Sequence, residues 1–323
     1  MLNPETTDTG GNPPPASHAT PEYTIQGGRT DADRLARQAE VMSSASMTFL
    51  AACGARPGAA VLDVGCGDGQ ITRQLSLLVG PTGRALGIDA DPAAIAIARQ
   101  AAGTATFREA DASIPAGTAE FDLAYARLLL SHLVDPMAVV RAMRTAVKPG
   151  GVVAVEDLFT PALGADPRVA ALDDLADIYA ATVRRHGGDP TVGPRLVAHL
   201  RAAGFVEITE QTVVNRMTTV HEKMFLVQLL DNMRPAIRAA GTATDAEVEG
   251  VRTGVSAAAA RPDVTFLQAR MHQVAGRRPV PAPAAGSTGA PSPKVAGPRH
   301  WLTTSGSPTP PTSPRTPPPR RNG

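Results

Sequence analysis

Val61-Leu62-Asp63-Val64-Gly65-Cys66-Gly67-Asp68-Gly69-Gln70 is the stretch that decides the fold. A short apolar run leads into three glycines at alternating positions, and Ile71, Leu75 and Leu78 follow at the spacing of one helix face. The pattern reads as a buried strand, a tight turn and a helix. Gly65 and Gly67 remove Cβ atoms where the backbone must turn, so a ligand can approach the main chain closely.

The spacing narrows the ligand. A dinucleotide fingerprint, G-x-G-x-x-G, needs glycine where Gln70 stands, and the third glycine comes one residue early at Gly69. Asp63, two residues before the first glycine, is awkward beside a pyrophosphate and suits a cationic ligand. S-adenosylmethionine (SAM) carries a sulfonium and an ammonium and no phosphate. A glycine-rich turn without a ligand is the alternative reading of this loop alone.

Working outward, Arg56-Pro57-Gly58 turns the chain into the strand, and Thr30 to Leu50 has helical spacing, with Leu35, Ala39, Met42 and Met47 as its expected buried stripe. Downstream, strands are expected at Arg84–Ala90, Ala105–Asp111, Phe121–Arg127 and Val152–Leu158. Helices are expected at Pro92–Ala102, with Asp91 as cap, and from Asp135-Pro136 to Val147, stopped by Pro149-Gly150-Gly151. Such alternation implies a parallel sheet with helices on both faces and ligands outside the carboxyl ends of the strands, where Asp89, Asp111, Glu156 and Asp157 fall. Beyond Leu158 the rhythm changes: helices at Val169–Arg185 and Pro194–Ala203, a strand at Phe205–Val214, mostly helix from Thr219 to Ala260, and a last strand at Val264–Ala275.

Composition excludes several classes. The 323 residues carry a formal net charge of +1, which gives no general pull toward nucleic acid or a membrane, and only 3% are aromatic, which weakens base stacking. No apolar run approaches the ~18 residues of a membrane span. Met1 to Thr20 lacks the basic start and apolar stretch of a signal peptide. Cys53 and Cys66 are too few for a disulfide framework and point to the cytoplasm. No Cys/His set has metal-ligand spacing, so no metal is expected. Residues 1–21 and 279–323 have the composition of disordered tails, the second Pro-rich and basic with no acid after Asp263.

With these residues in place, the chain resembles the class I SAM-dependent methyltransferases. Asp63 to Gly69 (DVGCGDG) resembles the first motif of that family, and Gly87 to Asp91 (GIDAD) its second-strand acid motif. Glu109 to Ala112 (EADA) resembles its adenine-binding segment, and Val147-Lys148-Pro149-Gly150-Gly151 the turn before its fifth strand. The flanks EYTIQGG (Glu22–Gly28), GGDPTVGPRL (Gly187–Leu196) and QVAGRRP (Gln273–Pro279) are similar to a bacterial subgroup of unassigned substrate. The resemblance covers about residues 22–278. It implies an α/β fold with a Rossmann-like seven-stranded sheet in the order 3-2-1-4-5-7-6, strand 7 antiparallel. A helical lid would insert at about 160–203 and 218–262.

The same resemblance implies a set of roles. Gly65, Cys66 and Gly67 offer backbone to the methionine part of SAM, and Asp63 neutralises its ammonium. Asp89, with Ala90 beside it, accepts the ribose hydroxyls, because a carboxylate can take two O–H donors. Asp111 and the Ala112 N–H meet adenine, Arg127 meets the cofactor carboxylate, and Tyr23 and Gln26 close from the N-terminal side. Arg127 paired structurally with Glu156 is the alternative for that residue. Methyl transfer mainly needs alignment, and a base only where the acceptor must lose a proton. The candidates are His132, Glu156 and Asp157, whereas His186, His199 and His221 read as surface or lid residues. The expected activity is methyl transfer to O, N or C of a small-molecule acceptor, without nucleic acid or membrane partners. An NAD(P)-binding oxidoreductase and a non-catalytic SAM-binding regulator are the rival readings.

Overall fold

The structure, a computed structural model, describes residues 32–281, with side chains from Met42 onward. Tyr23, Gln26, the side chains of Leu35 and Ala39, and the expected tails up to 21 and beyond 281 lie outside what is described. The chain divides into residues 1–281 and 282–323, and all described elements belong to the first unit.

The helices are α1 (Ala32–Ala52), α2 (Gln70–Val79), α3 (Pro92–Gln100), α4 (Pro136–Ala146), α5 (Ala170–Arg185), α6 (Leu196–Ala202), α7 (Val220–Ala240) and α8 (Asp245–Ala259). The strands are β1 (Ala60–Val64), β2 (Arg84–Asp89), β3 (Thr106–Glu109), β4 (Phe121–Arg127), β5 (Val147–Phe159), β6 (Gly164–Asp166), β7 (Val206–Val213), β8 (Arg216–Met217), β9 (Thr265–Leu267) and β10 (Arg270–Arg277).

Seven strands form the main sheet in the order β3-β2-β1-β4-β5-β10-β7. The first five are mutually parallel, and β10 runs antiparallel to both β5 and β7. This is the expected 3-2-1-4-5-7-6 order, with β10 as its antiparallel seventh strand. Central strands are covered on both faces, so β1 and β4 read as near-continuous apolar runs rather than alternating ones. Helix starts follow local chemistry. Asp91 caps α3 by accepting from Ala93 N at 2.8 Å, with Pro92 at its first position, and Asp135 caps α4 by accepting from Ala138 N at 3.0 Å.

Two expectations need correction. Pro149-Gly150-Gly151 does not stop the preceding helix: α4 ends at Ala146, and β5 begins at Val147. The register jumps from Phe121↔Val147 to Leu123↔Val152, so residues 148–151 bulge out of the strand, with Gly150 at φ +82°. The last segment is also two strands rather than one. β9 joins β6 and β8 in a separate three-stranded sheet, and β10 crosses to the main sheet. The interruption falls at Gln268-Ala269, where Gln268 N donates to Asn215 O and its side-chain oxygen accepts from Asn215 Nδ2 at 2.7 Å.

There are two apolar cores. The first lies on the sheet and includes Leu62, Ile88, Ala124, Val140, Val155 and Val274. The second joins α5, α7 and α8 to the small sheet through Leu172, Leu175, Leu230, Val255 and Phe266. α6 falls within the segment expected to form the lid, yet its Leu196 and Leu200 sit in the first core. Capping boxes open both long helices of the segment expected to form the lid, Thr219 with Glu222 for α7 and Thr244 with Glu247 for α8.

Candidate active site

The turn after β1 is strapped to β2. Gly65 N and Cys66 N both donate to Ile88 O, at 2.8 and 3.0 Å, and Gly67 N donates to Asp89 Oδ2 at 2.8 Å. Asp89 Oδ1 accepts from Asp91 N at 3.0 Å, so one carboxylate braces two loops. Burial raises the Asp89 carboxyl above its ordinary range, against the pull of those N–H donors. Ala110 N donates to Asp89 O at 2.9 Å, which brings Asp111 and Ala112 to the same edge. Asp111 Oδ1 accepts from Ser113 N and Ser113 Oγ, both at 2.8 Å, which folds this segment into an Asx turn.

The three glycines of the turn differ in kind. At Gly67 a Cβ would meet nothing within 4 Å, whereas at Gly69 it would lie 2.4 Å from the Phe107 ring. Gly67 therefore borders open space beside the Asp89 carboxylate. Gly69 is needed for the approach of α2 to β3, a packing role that the sequence alone did not reveal.

Asp63 is buried behind the turn, where its Oδ2 accepts from Thr72 Oγ1 at 2.6 Å. Burial pushes its pKa up to about 6, partly opposed by Thr72 and by the charge of Arg127. Burial also raises the Cys66 thiol, with the Asp63 charge adding to it. The donor set around the turn is thus acidic. Asp63 suits the ammonium of SAM and is awkward beside a pyrophosphate, whereas Asp89 suits the ribose hydroxyls of either cofactor.

At the end of β4, Arg127 Nη1 lies 3.4 Å from Ser46 Oγ on α1, and that hydroxyl donates to Glu156 Oε2 at 2.7 Å. Glu156 Oε1 accepts from Gln273 Nε2 at 3.1 Å, and Gln273 Oε1 accepts from Gln211 Nε2 at 2.6 Å. A polar ladder therefore crosses β4, β5, β10 and β7 and reaches α1. Burial raises the Glu156 carboxyl, with the Arg127 charge pulling the other way. Arg127 and Glu156 are thus linked through Ser46. Sequence reasoning missed Ser46, Gln273 and Gln211. The available signals were polar residues interrupting the apolar stripe of α1 and the polar pair His272-Gln273 inside an apolar strand.

His132 ends a 3-10 turn, Leu130–His132, that follows β4. Leu129 just before it lies over Gly65, where a Cβ would meet Leu129 Cδ2 at 3.0 Å. Ser131 N donates to Asp157 Oδ2 at 2.9 Å, and Asp157 Oδ1 accepts from Leu158 N at 2.9 Å. Burial pushes Asp157 up to about 6. The structure thus gathers Asp63, Gly65, Cys66, Gly67, Asp89, Ala90, Asp111, Ala112, Arg127, His132 and Glu156 along the carboxyl ends of β1, β2, β3, β4 and β5. His186 instead lies at the end of α5, with Nδ1 2.9 Å from Thr182 O, His199 is on α6 and His221 on the exposed start of α7. Among the described residues, no group of three or more His, Cys, Asp or Glu side chains is placed to hold a metal ion.

A sheet of this order, with a glycine turn ending its first strand and an acid ending its second, is the arrangement implied by the resemblance to class I SAM-dependent methyltransferase domains. Residues 62–155 match the family model described as a methyltransferase domain. The chain is 37% identical over 175 residues to the nocamycin O-methyltransferase of Saccharothrix syringae, a match covering 48% of this chain and 62% of that protein. It is 27% identical over 194 residues to a ubiquinone/menaquinone biosynthesis C-methyltransferase of Ectopseudomonas mendocina, covering 52% of this chain and 73% of the relative. Among solved structures it resembles a proposed methyltransferase from Bacillus halodurans, with a TM-score of 0.50 at 15% identity over 72% of this chain and 98% of that one. That likeness concerns the fold. The methyl donor of this class is SAM.

Proposed function

We propose that this chain transfers a methyl group from SAM to a small-molecule acceptor, with an oxygen of the acceptor as the first choice of target. The observation that carries this reading is the Asp89 carboxylate set against Gly67 N at the mouth of the glycine turn, with open space where a Gly67 side chain would stand. The names of the nocamycin and ubiquinone/menaquinone relatives support a small molecule, and one of them an oxygen. No described helix is long and apolar enough to cross a membrane, and Cys53 and Cys66 are free thiols, which supports a cytoplasmic setting.

When bound, SAM supplies a methyl carbon already activated by a sulfonium. In this reading the main chain at Gly65, Cys66 and Gly67 cradles the methionine end and Asp63 opposes its ammonium. Asp89, next to Ala90, accepts from the ribose, and Asp111 and Ala112 N meet adenine. Arg127 meets the cofactor carboxylate. Tyr23 remains a proposed closing residue. Of the candidate bases His132 is preferred. Glu156 and Asp157 are 2% and 1% exposed, and each of their oxygens already accepts a bond from Ser46, Gln273 or a backbone N–H, which favours bracing roles for both.

Calorimetry with S-adenosylhomocysteine on the native chain and on Gly67→Val tests the site. The branched side chain should remove binding; at φ +55° it also strains the turn, so a thermal melt checks that the variant is folded, and equal affinities in the folded variant would overturn the site. A screen of hydroxylated, amine and quinol acceptors with labelled SAM then tests the activity. Tight cofactor binding without transfer to any of them would favour the non-catalytic regulator.

A further inference from the structure

Arg127, at the end of β4, and Glu156, on β5, are register partners in a parallel pair, so their side chains leave the same face of the sheet. A guanidinium and a carboxylate placed in this way can close on each other directly. Here they meet through a hydroxyl instead. Ser46 Oγ lies 3.4 Å from Arg127 Nη1 and 2.7 Å from Glu156 Oε2. The direction of both contacts follows from the groups themselves. A guanidinium can only donate, so the Ser46 oxygen accepts from Arg127, and the one hydrogen of the hydroxyl is left for Glu156. Burial works against the charge of Glu156, while Arg127, Ser46 and Gln273 work for it. Ser46 itself is buried on α1, whose Met42, Phe49 and Leu50 are buried with it, and that helix packs against both α2 and α7. The hydroxyl is therefore placed by the helix and does not depend on Arg127 for its position.

We infer that Ser46 is a positioning residue for the cofactor: its hydroxyl spaces Arg127 from Glu156, so that the guanidinium is held for the carboxylate of SAM and is not drawn onto the buried acid. This rests on the reading that sets Arg127 against the cofactor carboxylate. At 3.4 Å the bond from Arg127 is weak in itself. Its consequence comes from where it stands, between opposite charges in surroundings where their attraction is strong. Without the hydroxyl, Glu156 Oε2 loses its donor, and a buried acceptor left bare draws the nearest cation. The carboxylate of SAM would then meet a guanidinium already paired. The ammonium, ribose and adenine ends are assigned to Asp63, Asp89, Asp111 and the glycine turn, so the loss falls on one end of the ligand.

Calorimetry on the full chain compares two ligands, S-adenosylhomocysteine and its decarboxylated analogue, which keeps the adenosine and the amine and lacks only the carboxylate. The native chain should prefer the first by about 10-fold or more, the worth of one charge-assisted contact. Ser46→Ala should lower that preference by about 3-fold or more while the analogue binds nearly as before. Adding Glu156→Gln to Ser46→Ala keeps the shape and removes the competing charge, and should bring the preference back toward its native value. Thermal melts check that each variant is folded. Should Ser46→Ala not fold, Ser46→Cys fills the same place with a weaker donor and acceptor and carries the same comparison. An unchanged preference in the Ser46 variant, equal losses on both ligands, or a lost preference that Glu156→Gln does not restore overturns the inference, and so does a native chain that binds both ligands equally. A native chain that binds neither removes the SAM reading and the inference with it, whereas a native preference that survives in the Ser46 variant removes the inference alone.

Discussion

Each oxygen of Asp89 already holds a backbone N–H, one from the glycine turn and one from the loop into α3. Two ribose hydroxyls at the same carboxylate would add charge-assisted bonds of about 1.5–3 kcal/mol each. Asp89→Ala should therefore weaken SAM binding by about 10²-fold or more and also lower the melting temperature of the cofactor-free protein, with Asp89→Asn between. Calorimetry and thermal melts on the same samples check it; lower stability with native affinity would leave Asp89 as a loop brace alone. Asp63 gives a pH signature. Its folded pKa of about 6 lies above the ~3.9 of an unfolded aspartate, so the folded state binds the proton more tightly. The stability this group contributes is full below about pH 4 and is lost as pH rises through about 6. Asp63→Asn keeps an acceptor for Thr72 and removes the titration. In denaturant melts without cofactor it should gain on the native chain by about 3 kcal/mol at most between pH 4 and pH 7. A difference that stays flat with pH would show that burial does not perturb Asp63.

At the scale of elements, the glycine turn separates two kinds of requirement. Gly67→Val carries only the backbone strain of a side chain at φ +55°, whereas Gly69→Ala also drives a methyl into Phe107 and should cost about 1–3 kcal/mol beyond such strain, read as a larger fall in the denaturation midpoint. An unshifted midpoint would mean that α3 and β3 yield freely. The contrast also shows what could be read in advance. β4 was legible residue for residue as Phe121–Arg127, because its apolar run opens after the bend at 117–119 and ends on a charged residue, Arg127. Asp63, Asp89 and Asp111 were legible as site candidates because each lies at or just beyond the carboxyl end of a strand within its own short motif. The start of β5 was misread because Pro and Gly mark breaks locally, and pairing with β4 across a bulge overrode them. Ser46 and Gln273 meet Glu156 across 110 and 117 residues, and Tyr179 meets His132 across 47. No local period encodes a partner at such separations, so these contacts became visible only in three dimensions.

For the whole molecule, the boundary of the domain is set by Arg278. Its Nη1 donates to Arg144 O, Thr145 O and Val147 O, at 3.0, 3.2 and 2.6 Å, closing the end of α4. Its backbone exchanges bonds with Gly150 and Gly151. A chain ending after Pro281 should therefore match the full chain in melting temperature and SAM affinity. One ending after Gly276 should not fold, because it loses Arg277 and Arg278 from the edge of the bulge. Equal stability of the two truncated chains would contradict this placement.

The antiparallel β10 lies between β5 and β7, although it is the last of the seven strands to be synthesised. While the chain leaves the ribosome, β5 and β7 each present an unpaired edge until residue 277 has emerged. Completion of the sheet thus waits for β10, and a nascent chain stalled anywhere before it is a natural client for chaperones and proteases.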